Sequence, residues 1–174
     1  MQPVRTALIG CGKVGAIHAQ ALATLPESKF IAVCDADPAR AQTFAGRYGV
    51  EPFDSVEQML SRAAPEAVTI CTPHPLHEEP CILAASAGVH VLVEKPLASS
   101  LAACDRMIAA ADKAGVKLGV VSQRRLLEPV LRMKTAIDAG KIGAPILGTF
   151  SMFSWRDEAY YRRDAWRGRP RSGP

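Results

Sequence analysis

Gly10, Gly12 and Gly15 stand in "LIGCGKVG" at the spacing G-x-G-x-x-G, directly after one apolar run and at the opening of a helical one. Glycines so spaced permit a tight turn, close approach of the backbone to a diphosphate, and close packing of the next helix, whose N-terminus faces negative charge. With the intervening Lys13 and Val14 they form a candidate cradle for a dinucleotide. Asp35 ends the second apolar run, 20 residues after Gly15. A carboxylate there accepts hydrogen bonds from a ribose diol and repels a 2′-phosphate, which favours NAD over NADP. Two other readings fit these residues. The glycines could merely turn the chain beside a solvated strand end, or they could serve a methyltransferase, which also pairs a glycine loop with an acidic residue after its second strand. The glycine spacing favours the dinucleotide.

Glu94, Lys95 and Pro96 form a second chemical constellation in "VLVEKPLA", immediately after another apolar run. By position alone Lys95 reads as a solvated surface charge. Beside a cationic nicotinamide, a lysine can instead hydrogen-bond a substrate hydroxyl and share its proton, and Pro96 would fix the backbone that aims it.

These residues are positioned by an alternation of strands and helices. Strands are expected at Val4–Ile9, Phe30–Cys34, Ala67–Cys71, Val89–Val93 and Lys117–Val121, within a pattern of six βα units. Asp37 is the expected N-cap of a helix with Pro38 at its first position and Gly49 at its end. Ser55 and Gln58 form a capping box for a short helix that Pro65 stops. Pro80 falls near the start of a helix running to Gly88, tolerable only within the first turn. Ser99 is the expected cap of a helix burying Leu101, Cys104, Ile108 and Ala111. A last helix covers roughly residues 128–139, and residues 145–155 read as a seventh strand outside the alternation. The fold class is therefore α/β, a doubly wound parallel sheet whose ligands bind at the carboxyl ends of its strands.

The 174 residues suffice for one α/β domain and a remainder, and a composition 48% hydrophobic but only 6% aromatic suits buried parallel strands. Of the net charge of +4, the segment 156–174 contributes +3, through six arginines against three carboxylates. No basic face remains within the fold for nucleic acid. Cys11, Cys34, Cys71, Cys81 and Cys104 are odd in number and widely spaced, which argues for reduced thiols and a cytoplasmic location. No Cys-x-x-Cys or His-x-x-His pair offers a metal site. No signal peptide and no apolar run of membrane-spanning length occurs in this sequence.

Four stretches, "ALIGCGKVGAIHAQAL", "AVCDADPARAQTFAGRYG", "ICTPHPLHEEPCILAASAGVHVLVEKPLA" and "VSQRRLLEPVLRMKTAIDAGKIGAPILGTF", together resemble the glucose-fructose oxidoreductase, inositol dehydrogenase and MocA (Gfo/Idh/MocA) family. The resemblance implies a Rossmann domain binding NAD(P) over residues 1–122. It makes residues 123–174 the partial start of an α/β substrate and oligomerisation domain. The implied activity is hydride transfer between nicotinamide and a carbinol of a sugar, polyol or sugar derivative, and full-length relatives are homo-oligomeric. Lys95 matches the family's proton-transferring lysine, which also binds substrate, and Glu94 adjoins the cofactor with it. Thr72, Pro73 and His77 match a Thr-Pro…His segment beside the cofactor, although His77 could equally be a helix-cap side chain. Arg124 matches an arginine near nicotinamide and substrate, with Arg125 structural. "YYRRDAWRG" resembles a cleft segment, making Tyr161 a candidate substrate contact and Trp166 and Arg167 candidate cofactor contacts, against the alternative of a surface loop. In the family this segment is followed by a glycine-rich stretch and a helix carrying an acid/base histidine. "PRSGP" matches no such continuation, so the expectation is a truncated or frameshifted reading frame with a disordered tail at 170–174. A catalytically inactive dinucleotide-binding fragment or sensor is the alternative function.

Overall fold

The computed structural model describes residues 2–162, so the expectations for Trp166, Arg167 and the tail 170–174 lie outside the described residues. Two compact units divide the chain, one ending at Val121 and the other beginning at Ser122.

The first unit is a six-stranded sheet built from β1 (Val4–Ile9), β2 (Ser28–Cys34), β3 (Glu51–Phe53), β4 (Ala67–Ile70), β5 (His90–Val93) and β6 (Leu118–Val120). Every pairing is parallel, and the strand order is β3-β2-β1-β4-β5-β6. The order reverses between β1 and β4, the switch point at whose carboxyl ends open α/β sheets bind their ligands. Five strands fall where the hydrophobic runs predict them. The sixth, β3, has three residues including Pro52, too short and too poor in β-formers to show a period of two. It pairs only with β2, an edge position that suits the proline.

Helices α1 (Lys13–Thr24), α2 (Pro38–Tyr48), α3 (Val56–Arg62), α4 (Glu78–Ser86) and α5 (Leu101–Ala114) connect the strands. Alternate residues of β1 point to opposite faces. Ala7 and Ile9 join a core with Met59 of α3, Cys81 and Ala84 of α4 and Met107 of α5. Leu8 joins Val33, Ala19 of α1 and Ala45 of α2 on the other face, where Phe30, Phe44 and Tyr48 pack against them. Two apolar faces covered by helices make the doubly wound α/β fold.

The caps follow the chemistry of their residues. The Asp37 carboxylate accepts from the Ala39 N–H at 3.0 Å with Pro38 next in the chain, and α2 ends in left-handed Gly49 at φ 68°. Ser55 Oγ accepts from the Gln58 N–H at 3.2 Å. Pro80 is the third residue of α4, inside the first turn, where its missing N–H has no helical acceptor to lose. The N-cap of α5 is Ser100, which accepts from the Ala103 N–H at 3.2 Å, and not Ser99 as the sequence predicts. The buried stripe is Ala103, Met107 and Ala111, and Leu101, in the first turn, is 83% exposed.

The second unit holds α6 (Glu128–Asp138) and the short α7 (Glu158–Arg162). Neither helix has a buried residue. The expected seventh strand at 145–155 is absent: the segment carries no regular secondary structure, and Phe153 is 97% exposed. A strand exists by pairing, and no partner for it occurs among the described residues. No helix among the described residues is long and apolar enough to cross a membrane.

Candidate active site at the carboxyl ends of the strands

The turn after β1 requires its glycines for different reasons. Gly10 has φ +100°, and a Cβ there would lie 2.7 Å from the Cys71 carbonyl carbon, because the turn passes directly over the end of β4. A Cβ on Gly15 would lie 2.0 Å from the Gly10 carbonyl oxygen, so this glycine seats α1 against the turn. Gly12 is the opposite case, since a Cβ there would meet nothing within 4 Å. Its open side adjoins the N-terminus of α1, which has no capping side chain and no acidic residue in its first turn. The first N–H groups of a helix have no acceptor within it, so this end offers donors and a positive dipole to an anion, as a pyrophosphate requires. Lys13 and Val14, the first helical residues, are exposed there.

Asp35 leaves β2 partly exposed, and its carboxylate is bound to backbone through both oxygens. Oδ2 accepts from the Cys11 N–H at 2.7 Å, and Oδ1 accepts from the Asp37 N–H at 2.9 Å. The carboxylate is thereby fixed beside the glycine turn, where its remaining lone pairs are available to ribose hydroxyls. A dinucleotide fits this donor set: open backbone and a helix N-terminus for the phosphates, with an oriented carboxylate next to them.

Cys11, Cys34 and Cys71 lie at the same ends of β1, β2 and β4. Burial pushes all three thiols up from 9.0 to about 12, and the nearby Asp35 carboxylate adds to this for Cys11 and Cys34, as Glu94 does for Cys71. Burial thus keeps them as thiols near neutral pH, packed at the strand ends. Among the described residues no group of three His, Cys, Asp or Glu side chains could hold a metal ion.

Beyond β4, Thr72 and Pro73 are partly exposed, and Thr72 Oγ1 donates to the Leu76 carbonyl at 2.9 Å, closing the 3₁₀ turn His74–Leu76. His77 does not face solvent. Its side chain is 0% exposed, with Nε2 at 2.9 Å from the Thr72 carbonyl oxygen and Nδ1 at 2.9 Å from that of Pro96. The expectation of a His77 cofactor contact is therefore corrected, since an enclosed ring has no surface to offer.

Beyond β5, Glu94 is anchored and Lys95 is exposed. The Glu94 N–H donates to the Ile70 carbonyl at 2.9 Å, which extends the sheet register one residue further. Its Oε2 accepts from the Lys95 N–H at 3.1 Å, and its Oε1 lies 2.9 Å from His18 Nε2 on α1. The His18 and Glu94 side chains are only 18% and 14% exposed. The Lys95–Pro96 peptide is cis. His18 is the site residue that the sequence reading lacks. It lies three residues beyond Gly15 on the same helix, but its partner is 76 positions away, and only the fold joins them.

In the second unit, Arg124 donates from Nη1 to Met152 Sδ at 2.9 Å, and Tyr161 in α7 is exposed with its ring edge-on to Tyr160.

Comparison with known proteins agrees with this geometry. Residues 4–122 match the Gfo/Idh/MocA model, described as an oxidoreductase family with an NAD-binding Rossmann fold. The chain is 35% identical to the D-apiose dehydrogenase of Paraburkholderia graminis over 149 residues, 85% of this chain and 40% of that protein. It is 34% identical to the inositol 2-dehydrogenase of Rhizobium meliloti over 143 residues, 80% of this chain and 42% of that protein. Among solved structures, the WlbA dehydrogenase from Bordetella pertussis in complex with NADH and UDP-GlcNAcA superposes with a TM-score of 0.90 at 34% identity, over 96% of this chain and 52% of that one. The chain thus spans less than half the length of the curated relatives it matches. A glycine turn, an oriented Asp35 and a Glu-Lys-Pro loop on a 3-2-1-4-5-6 sheet, matched over the whole first unit, make this chain a member of the Gfo/Idh/MocA oxidoreductase family with its NAD-binding Rossmann fold.

Proposed function

We propose that this chain binds NAD in preference to NADP, and that the protein it represents transfers a hydride between the cofactor and a carbinol carbon of a sugar, polyol or sugar derivative. The observation that carries the proposal is the placement of Lys95 and the Gly10–Gly15 turn on one end of one sheet, at the ends of β5 and β1 with β4 between them.

The backbone of Gly12, Lys13 and Val14 and the N-terminus of α1 would hold the pyrophosphate. The fixed Asp35 carboxylate would accept from the ribose hydroxyls and repel a 2′-phosphate. Thr72, Pro73 and Glu94 would line the nicotinamide end. When bound, NAD supplies the hydride acceptor or donor. Lys95 would act from an anchored backbone: as the neutral amine, Nζ would take up the hydroxyl proton when the carbinol is oxidised, and as the ammonium it would return that proton when the carbonyl is reduced. Arg124, Tyr161, Trp166 and Arg167 are the residues through which the rest of the protein would complete the cofactor and substrate contacts. The relatives' names support a sugar or polyol substrate: they include dehydrogenases of apiose and inositol, and one solved with a nucleotide sugar.

Isothermal titration with NAD and NADP tests the cofactor reading. Tighter binding of NAD supports it, and absence of NAD binding by a chain that is folded by circular dichroism would sink it. Absorbance of NADH during incubation with sugars, inositols and nucleotide sugars tests the reaction, and any turnover should vanish in Lys95→Ala.

A further inference from the structure

We propose that His77 is a positioning residue for Lys95, a role that rests on Lys95 being the proton-transferring group and adds to it the device that holds its backbone. The His77 ring is completely enclosed and lies between two loops that leave adjacent strands. Its Nε2 is 2.9 Å from the Thr72 carbonyl, just after β4, and its Nδ1 is 2.9 Å from the Pro96 carbonyl, just after Lys95.

An apolar side chain of similar volume would fill this space as well, so filling it does not require histidine. The imidazole brings N–H donors at opposite edges of one rigid ring. A neutral ring donates to one carbonyl at a time, and the doubly protonated ring donates to both. Partly buried carbonyls call for a donor, and here the ring stands within hydrogen-bond distance of both the rim of β4 and the rim of β5. His77 also begins the chain into α4, which packs on the same sheet, so the ring is carried by a rigid element.

The other side of Lys95 is secured independently. Its N–H donates to Glu94 Oε2, and the Glu94 carboxylate is paired with His18. The Lys95 backbone is thus bracketed, through Glu94 towards α1 and through Pro96 towards α4, while the lysine side chain between the two anchors stays exposed. A side chain that must meet a substrate oxygen benefits from such a fixed origin, because a misplacement of about 1 Å can cost about a hundredfold in rate.

Amide hydrogen exchange followed by NMR on the full chain tests the role, comparing the unaltered protein with His77→Phe and His77→Gln. Phenylalanine keeps the ring volume and removes both donors, whereas glutamine keeps donors. The expected result is exchange at Glu94, whose N–H closes the last bond between the ends of β4 and β5, accelerated about tenfold in His77→Phe, the factor of one lost hydrogen bond, with the amides of β1 unchanged and glutamine largely restoring the native rates. Unaltered exchange at Glu94 overturns the role, and so does equal acceleration across β1, which is the behaviour of a core-filling residue. In the unaltered protein a slowly exchanging ring N–H proton close in space to Pro96 is expected, and its absence also overturns the role, even if neither variant folds. NAD titration of the unaltered chain is scored separately. Its failure removes the functional reading, whereas exchange unaffected by His77→Phe in a chain that binds NAD removes only the positioning role.

Discussion

At the scale of single residues, the three glycines of the first turn separate folding from binding. Gly15→Ala places a methyl group against the Gly10 carbonyl and should destabilise the chain by about 1–3 kcal/mol in urea unfolding. Gly12 has an ordinary φ of −87° and open space where a Cβ would go. Gly12→Ala should therefore change stability by less than about 0.5 kcal/mol and weaken NAD by about tenfold or more in a titration. The cysteines give a pH dependence of definite sign. Folding raises Cys11, Cys34 and Cys71 from 9.0 to about 12 and Cys81 to about 11, so the unfolded chain releases protons first. The stability linked to these thiols is fully present below pH 9.0 and is lost as pH rises through the folded values. Urea unfolding at about pH 8 and about pH 10 should show this fall, and Cys34→Ala should lessen it.

At the scale of elements, α3 ends under strain that its neighbours relieve. Ala64, two residues past the last residue of α3, sits at φ 45°, the left-handed position that glycine favours. The Arg5 guanidinium donates to the Ala63 carbonyl at 2.6 Å and also to that of Ala64, and the Arg5 N–H donates to Glu66 Oε2 at 2.8 Å. Ala64→Gly should raise the thermal midpoint by the equivalent of about 1 kcal/mol, read by calorimetry. Elements of this kind were legible in the sequence where one local signal suffices. The apolar runs of β1, β2, β4 and β5 and the caps at Asp37, Gly49 and Ser55 are such cases. β3 was not, because a three-residue edge strand takes its identity from β2 rather than from its own residues. Residues 145–155 erred in the other direction, since β-forming side chains do not make a strand without a partner. Of the site, the glycine turn, Asp35 and Lys95 were visible as motifs. The His18–Glu94 pair and the enclosure of His77 depend on residues 76 and 19 positions apart, a distance that no local pattern spans.

At the scale of the whole molecule, every buried residue among the described residues lies within the first 121 positions. Both apolar faces of the sheet are covered by helices of the same unit. A chain ending at Val121 should therefore fold cooperatively and still bind NAD, more weakly for want of the proposed contacts of Arg124, Trp166 and Arg167, measured by thermal unfolding and titration. Loss of either would show that residues after 121 are needed for the first unit. The two edge strands, β3 and β6, have three residues each, and Pro52 interrupts the outer one, so little free edge remains to recruit another sheet.

The grip of Asp35 on the Cys11 and Asp37 amides has an evolutionary corollary. On the proposed reading one carboxylate both selects the cofactor and braces the turn that receives it, so the two properties would be inherited together. Asp35→Ser, which removes the charge that would repel a 2′-phosphate, should loosen the receiving loop at the same time, because the carboxylate holds the Cys11 and Asp37 amides. Titration of that variant should show NAD lost and NADP not gained. A lineage that changed its cofactor from this starting point would have to rebuild the turn and the strand end in concert, which makes the preference slow to drift.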